Sequence, residues 1–332
     1  MLAARYLGPN RIETAEVSIP VIGSEEALVQ VEACGFCGSD MNIMAGTHPR
    51  AKPPLTVGHE LSGRIVKIGR SNAGLEIGDH VTVYPLISCG VCHACMHGSP
   101  HVCRKLQLFG FDVDGGMAEF VKLPITSLVK LPKNMPAKVG ALIEPLAVAV
   151  HGVSRANLKT AGIAVVLGAG PIGLLTALVA QARGVPHVII SEVLPSRLKL
   201  AESLGLHAVK AGAELRAQVM KMSNENGADV LFECAGHPSS AREMTALVRS
   251  RGVIVNLVEV DMQAVNFKEI EILGSRVYDR KDFQDAIDIA MKLPLDRIVS
   301  HAFTLKEVAL AFEQFRSSEA CKVLIIPTQT AV

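Results

Sequence analysis

Tryptophan is absent from this chain of 332 residues, and aromatic residues make up only 4% of it. Aliphatic side chains must therefore fill whatever cores it builds, and 49% apolar residues are enough to do so. A surplus of charge is also missing. The formal net charge of +1 leaves no electrostatic footprint for nucleic acid or an anionic membrane surface. Internal repeats, coiled-coil heptads and low-complexity tracts are lacking, which sets aside repeat and fibrous architectures. The N-terminal segment carries Arg5 and Arg11 early, without an apolar core or a small-residue cleavage site, so a secreted protein is not expected. One uncharged run, residues 161–182 (AGIAVVLGAGPIGLLTALVAQA), is long enough to cross a bilayer. Its β-branched start, glycine turn and Pro171 read instead as strand, turn and helix of a soluble domain, and no membrane partner is expected.

What the chain does have is cysteine. Cys89, Cys92, Cys95 and Cys103 form a C-x2-C-x2-C-x7-C run in SCGVCHACMHGSPHVC. Four thiolates aimed at one point suit a tetrahedral zinc with no open position, which makes the site structural. Disulfides are the alternative, but they belong to secreted proteins. Eight cysteines used in this way mark a reducing compartment, the cytoplasm. His93, His97 and His101 are expected to face solvent, because the thiolates already saturate the ion.

The length suggests two domains. Up to about Val139 the pattern is of short strands (27–33, 61–68, 80–83) broken by glycine and proline, as in a β-rich, barrel-like domain. From Leu142 to about Ser275, strand candidates (163–167, 187–191, 229–233, 253–256, 270–274) alternate with helical segments such as 195–204 and 239–249. This is the βαβ rhythm of a doubly wound parallel sheet. The tail, with helices at 281–292 and 305–316 and a strand at 322–326, is expected to return to the first domain. The fold class is thus α/β. Residues 1–145 and 276–332 form one domain carrying the cysteine lobe (about 86–105), and residues 146–275 form the inserted one.

The inserted domain opens on a fingerprint. In VVLGAGPIG, Gly168, Gly170 and Gly173 stand in G-x-G-x-x-G order, after a strand and at the start of a helix. Gly168 serves a tight turn, Gly170 lets backbone approach a pyrophosphate, and Gly173 allows close helix packing. Pro171 and Ile172 begin the helix, whose N-terminus favours negative charge. Glu192 ends the second strand, where a carboxylate accepts ribose hydroxyls and repels a 2′-phosphate. That favours NAD over NADP, although Arg197, five residues on, weakens the distinction.

A second group lies in the first domain: Cys37 in ACGFCGSDMN, His59 and Glu60 in VGHELSG, and Glu144 in ALIEPLAVAVH. A thiolate, an imidazole and a carboxylate suit a zinc that keeps a coordination position open. Taken singly, Cys37 reads as a core cysteine, His59 as a buried histidine, and Cys34 with Cys37 as a redox pair.

These motifs, with DGGMAEF and DVLFECAG, occur in the order found in zinc-dependent medium-chain alcohol/polyol dehydrogenases. Over nearly its whole length the chain resembles the sorbitol and threonine dehydrogenase branch of that family. The resemblance implies a GroES-like catalytic domain with an inserted Rossmann domain, and two zinc ions per chain, one catalytic and one structural. It implies that Cys37, His59 and either Glu60 or Glu144 bind the catalytic ion. Asp40 accepts a hydrogen bond from His59, and Ser39 contacts the substrate oxygen and passes its proton onward. Cys234, Ala235 and Gly236 lie near the cofactor, and Leu257 and Val258 face the nicotinamide. Where many relatives end the proton relay in a histidine, this chain has Asn42, and His48 is the candidate replacement. Tyr278 either borders the substrate pocket or packs in the core, and Arg276 and Arg280 are surface charges.

The implied reaction is hydride transfer from a secondary alcohol, polyol or sugar-derived, to NAD. A 3-hydroxy amino acid of the threonine type or a simple diol is the alternative substrate. A catalytically silent zinc- and NAD-binding relative, or a zinc-free quinone or enoyl reductase, is disfavoured because Cys37, His59 and both glutamates are present. The implied partners are copies of itself, in a homodimer or homotetramer joined at the Rossmann edge strand (269–274).

Overall fold

The computed structural model describes residues 1–70, 74–256, 265, 270–317 and 319–327. Leu257 and Val258, expected near the nicotinamide, lie outside the described residues. The chain divides into two compact units, Met1–Glu144 with Ile287–Val332, and Pro145–Ala286.

The first unit is built on a seven-stranded sheet. Its strands run in the order Leu128–Lys130, His80–Val83, Glu60–Ile68, Glu26–Gly35, Lys322–Ile326 and Val299–Thr304, with Phe120–Pro124 also paired to Glu26–Gly35. A three-stranded sheet (Arg11–Glu16, Leu2–Gly8, Leu55–Thr56) accompanies it. The C-terminal strand Lys322–Ile326 thus lies in the middle of the N-terminal sheet, beside Glu26–Gly35. The core of this unit includes the aromatics Tyr6, Phe36, Phe109, Phe111 and Phe312.

The second unit is a six-stranded, all-parallel sheet. The order is His207–Lys210, His187–Glu192, Ile163–Leu167, Ala228–Glu233, Val248–Asn256 and Glu271–Gly274. Numbered within the unit this is 3-2-1-4-5-6, the doubly wound order whose switch point lies beside the first strand. Ile163–Leu167 is buried at every position, so it reads as a continuous apolar run. Three connecting helices, Pro171–Ala182, Pro195–Ser203 and Pro238–Leu247, begin with proline. There its missing N–H costs no hydrogen bond and its fixed φ suits the first turn. The core cluster consists of Ile, Val, Leu, Ala and Met, as the scarcity of aromatics requires. The strand His207–Lys210 and the helix Ala213–Met222 were not singled out from sequence; both are short and carry several polar residues.

The return to the first unit comes later than residue 276. It falls at Ile287, inside the helix Arg280–Ala290, because the start of that helix is tied to the second unit. Asp282 accepts from His151 Nδ1 at 2.6 Å, and Arg183 pairs with Asp285 at 3.1 Å. Tyr278 is fully buried with its ring 5.5 Å from Phe283, a packing position. Arg276 and Arg280 are exposed.

The His151–Asp282 pair gives a stability prediction. Burial alone would raise the Asp282 carboxyl, but the His151 ring and the Asp279 amide outweigh it and hold it below its ordinary value. Asp282→Ala should cost about 3 kcal/mol, as expected when one partner of a buried pair is removed. The difference from wild type should be full above roughly pH 4–5 and shrink as pH falls through the depressed Asp282 value. Denaturant unfolding of both proteins across that range checks the sign.

Candidate active site

Three adjacent strands of the first unit bring the candidate metal ligands together. Glu60 opens one strand and pairs in register with Gly35 at the end of the central one. Lys322 opens the strand on the far side. A Cβ at Gly35 would overlap Glu60 Oε2, so the glycine lets the carboxylate cross over the central strand. There Glu60 Oε2 forms an ion pair with Lys322 Nζ, and both side chains are almost wholly buried. The ammonium also donates to the Phe36 carbonyl at 3.0 Å. Cys37 follows directly, and one ligand atom each from Cys37, His59 and Glu60 lies within 4.8 Å of the others.

The electrostatics of this cluster call for a cation. Three carboxyl groups, Asp40, Glu60 and Glu144, are buried here together with His59 and Lys322. Burial alone would push the His59 imidazole down, yet Cys37, Glu144 and Asp40 lift it to about 10. Burial would likewise depress the Lys322 ammonium, and Glu60, Cys37 and Glu144 raise it. A thiol, an imidazole and a carboxylate with further carboxyl groups around them fit a divalent zinc at ligand distances of about 2.0–2.3 Å. Among the described residues Glu144 is not part of the 4.8 Å group, and it acts on His59 through charge.

Two neighbours of Cys37 are placed otherwise than expected. Asp40 Oδ2 accepts the Cys37 backbone N–H at 2.8 Å, while Asp40 Oδ1 and His59 Nδ1 have no hydrogen bond. The expected His59–Asp40 bond is therefore not formed, because a carboxylate three residues on bonds its own turn first. Asp40 is lifted to about 6, chiefly by burial. The Ser39 hydroxyl donates to Cys37 Sγ at 3.1 Å. His48 Nδ1 accepts the Ala51 N–H at 3.1 Å, and its ring centroid lies 4.9 Å from that of Phe111, which in turn lies 5.0 Å from His59. Burial and then Arg50 hold His48 below its ordinary value. Asn42 is exposed.

The four-cysteine lobe closes on itself. The sulfurs of Cys89, Cys92, Cys95 and Cys103 all lie within 4.8 Å of one another, and none is in a disulfide. Cys92 Sγ is 3.5 Å from Cys95 Sγ and 3.8 Å from Cys103 Sγ. A tetrahedron with zinc–sulfur bonds of about 2.3 Å has edges of about 3.8 Å, so the donors fit the ion. Backbone N–H groups of Cys95 and Arg104 pull the Cys92 thiol down to about 6. His93 and His97 are exposed and stacked on each other, and His101 is half-buried.

In the second unit a cavity of about 440 Å³ is lined by Gly168, Gly170, Glu192, Arg197, Cys234 and Ala235, among others. Gly168 has φ +91°, and a Cβ on Gly173 would overlap the Gly168 carbonyl, so both glycines are required. Among the described residues, only Arg197 Nη1 lies within reach beyond Gly170, at 3.9 Å from a would-be Cβ, and backbone there is open to a ligand. Pro171 and Ile172 form the first turn of the helix, whose N-terminus has no side-chain cap. Its free N–H groups suit a pyrophosphate. Glu192 is more committed than expected. Its Oε1 accepts Val193 and Leu194 N–H at 2.6 and 3.1 Å, its Oε2 accepts Ala169 N–H at 3.0 Å, and Arg197 Nη1 stands 3.7 Å away. Burial pushes the Cys234 thiol up to about 12.

Residues 23–133 match the alcohol dehydrogenase GroES-like domain and residues 171–292 the zinc-binding dehydrogenase domain. The chain is 36% identical to 2-dehydro-3-deoxy-L-galactonate 5-dehydrogenase of Pseudoalteromonas atlantica, over 94% of each chain. It is 34% identical to L-threonine 3-dehydrogenase of Bacillus licheniformis, again over 94% of each. A zinc-binding dehydrogenase of Sinorhizobium meliloti crystallised with NADP superimposes with a TM-score of 0.91 at 32% identity, over 98% of this chain and 99% of that one.

The chain belongs to the zinc-type alcohol dehydrogenase family. The GroES-like and Rossmann domains of that family are the two units described above. Sequence reasoning missed Lys322 and Phe111. The signal for Lys322 was a lysine leading an otherwise apolar strand, KVLII, where a cation is buried only with a partner. Nothing in the sequence tied it to Glu60.

Lys322→Met strands the Glu60 carboxylate and should cost about 3–5 kcal/mol, whereas Lys322→Arg keeps the charge and should retain most of that stability. Denaturant midpoints of the two variants give the comparison.

Proposed function

We propose that this protein is a zinc- and NAD-dependent oxidoreductase that removes a hydride from the secondary CH–OH of a polyol or sugar-derived substrate. The observation that carries the reading is the Cys37–His59–Glu60 group, with His59 and Glu60 buried and Cys37 half-buried, in a chain whose second unit offers an open glycine turn at a cavity. The relative acting on a dehydro-deoxy-galactonate supports the substrate class. When bound, zinc supplies Lewis-acid polarisation of the alcohol oxygen, and the nicotinamide supplies the hydride acceptor.

The chain's own residues hold and orient these groups. Cys37, His59 and Glu60 are the ligands of the catalytic ion. With Lys322 engaging one Glu60 oxygen, the carboxylate offers a single oxygen, which keeps a coordination position open for substrate. Glu144 adds negative charge around His59. Cys89, Cys92, Cys95 and Cys103 hold the structural zinc. The Ser39 hydroxyl, on Cys37 Sγ at 3.1 Å, would turn from the sulfur and accept the alcohol proton on a lone pair as it releases its own proton onward. His48, whose ring packs on Phe111 beside His59, is the candidate for the end of the relay. Gly168, Gly170, Pro171, Ile172, Gly173 and Cys234 seat the dinucleotide. Glu192 disfavours a 2′-phosphate, which makes NAD the preferred cofactor.

The relative named as an L-threonine 3-dehydrogenase favours a second reading, in which the substrate is a 3-hydroxy amino acid. Among the described residues no helix is long and apolar enough to cross a membrane, and the proposed location is the cytoplasm. The proposed assembly is a homodimer or homotetramer joined through the edge strand Glu271–Gly274.

Reduced-cofactor absorbance with polyols, sugar acids, diols and 3-hydroxy amino acids tests the function. Turnover of polyols or sugar acids supports the main reading, threonine-type turnover replaces it with the second, and no turnover on any alcohol refutes both. Metal analysis should find two zinc ions per chain, and one in Cys92→Ser or Cys37→Ser. Only Cys37→Ser should lose about 10³-fold or more in kcat while keeping its fold, the scale expected for several kcal/mol of Lewis-acid stabilisation. Glu192→Ala should lower the ratio of kcat/KM for NAD over NADP by about tenfold, the effect of removing one repulsive element of about 1.4 kcal/mol.

A further inference from the structure

Glu233 ends the strand Ala228–Glu233 and lies opposite Leu167, the residue that precedes Gly168. The residue is 8% exposed. Its Oε1 accepts the backbone N–H groups of Ala235 and Gly236, both at 2.7 Å. These bonds hold the turn after the strand, where Gly236 has φ +63°. That turn presses on the glycine turn: a Cβ on Gly168 would stand 2.9 Å from the Ala235 Cα, and one on Gly173 would stand 3.5 Å from the Cys234 Cβ. Cys234 and Ala235 in turn line the cavity together with Gly168 and Gly170.

The glycine turn is therefore held between two buried strand-end carboxylates. On one side Glu192 takes the Ala169 N–H. On the other, Glu233 acts through Ala235 and Gly236. The second oxygen of Glu233 is buried and has no hydrogen-bond partner, which makes the group costly to keep. Its return is geometric. One oxygen with two lone pairs takes two adjacent backbone donors and fixes the backbone that faces Gly168.

We propose that Glu233 is a positioning residue for the dinucleotide: through the Ala235 and Gly236 N–H groups it sets the cavity wall opposite Gly168. It does not touch the reacting atoms. The inference rests on the cofactor reading above, and it requires the acceptor oxygen at the right reach rather than the negative charge. Glu233→Gln keeps an acceptor oxygen at the same reach and loses the charge. Glu233→Asp keeps the charge and falls short of both N–H groups. Glu233→Ala loses both features.

The test is titration of the zinc-loaded full chain with NADH and with NADPH, followed by cofactor fluorescence, together with steady-state kinetics. Wild type is titrated first, and binding of neither dinucleotide would refute the cofactor reading itself. Given wild-type binding, Glu233→Ala and Glu233→Asp should weaken it about 10- to 100-fold, the scale of two hydrogen bonds of about 1 kcal/mol each. KM for the dinucleotide should rise while kcat at saturation changes less than about threefold. Glu233→Gln should bind within about threefold of wild type. Tight binding by Glu233→Asp with weak binding by Glu233→Gln would overturn the proposal in favour of charge. Wild-type affinity in Glu233→Asp and Glu233→Ala would overturn it outright. Should Glu233→Ala fail to fold, the Gln and Asp pair decides the question alone.

Discussion

A thiol, an imidazole and a carboxylate gathered within 4.8 Å of one another, the last two buried, favour positive charge in their midst, and the first unit is arranged around that preference. Desolvating such groups without compensation costs several kcal/mol each. One compensation is built in as Lys322. Its reach to Glu60 depends on a missing side chain, because Gly35 stands between the two strands and any Cβ there would occupy the path of the carboxylate. The sheet order that puts Lys322–Ile326 beside Glu26–Gly35 is thus also the order that sets the charge balance of the ligands.

The second unit solves a different electrostatic problem by local means. A pyrophosphate needs N–H donors, and the turn supplies them from backbone at Gly168–Gly173 and from a helix start with no side-chain cap. Carboxylates beside an anion site look misplaced. Here both oxygens of Glu192 and one of Glu233 accept the N–H groups of neighbouring turns. Their negative charge is therefore partly neutralised by backbone dipoles before any ligand meets it. The sheet is all-parallel, so every strand end of this kind faces the same way and the turns that follow form one rim.

How much of this could be read from sequence follows the range of each interaction. The glycine turn, its strand and its proline-started helix are contiguous, and their spacing alone located them. The four-cysteine lobe was legible for the same reason. The metal cluster was legible as a set of residues, because Cys37, His59 and Glu60 sit in short motifs, but its wiring was not. Asp40 was expected on His59 and instead bonds the Cys37 N–H, a contact three residues away that wins over a longer one. Lys322 lies at the other end of the chain from Glu60, and only the sheet order joins them. The domain return was placed at residue 276 by the end of the strand pattern. The structure puts it at Ile287, because Asp282 and Asp285 pair with His151 and Arg183, and no periodicity encodes such pairings.

The same difference in range bears on how the metal cluster and the dinucleotide turn each come into being. The dinucleotide turn needs one βαβ unit and its neighbouring strand, all within the second unit. The metal cluster needs the last strand of the chain. Until Lys322–Ile326 pairs with Glu26–Gly35, Glu60 has no ammonium beside it and its carboxylate is better left in water. Closing the sheet and burying the ligands are then one event, and an ion that binds the ligands favours the closed sheet by mass action. A cation binding at Cys37 and His59 is in this sense linked to the pairing of a strand far along the sequence, through a single lysine and the space left by a single glycine.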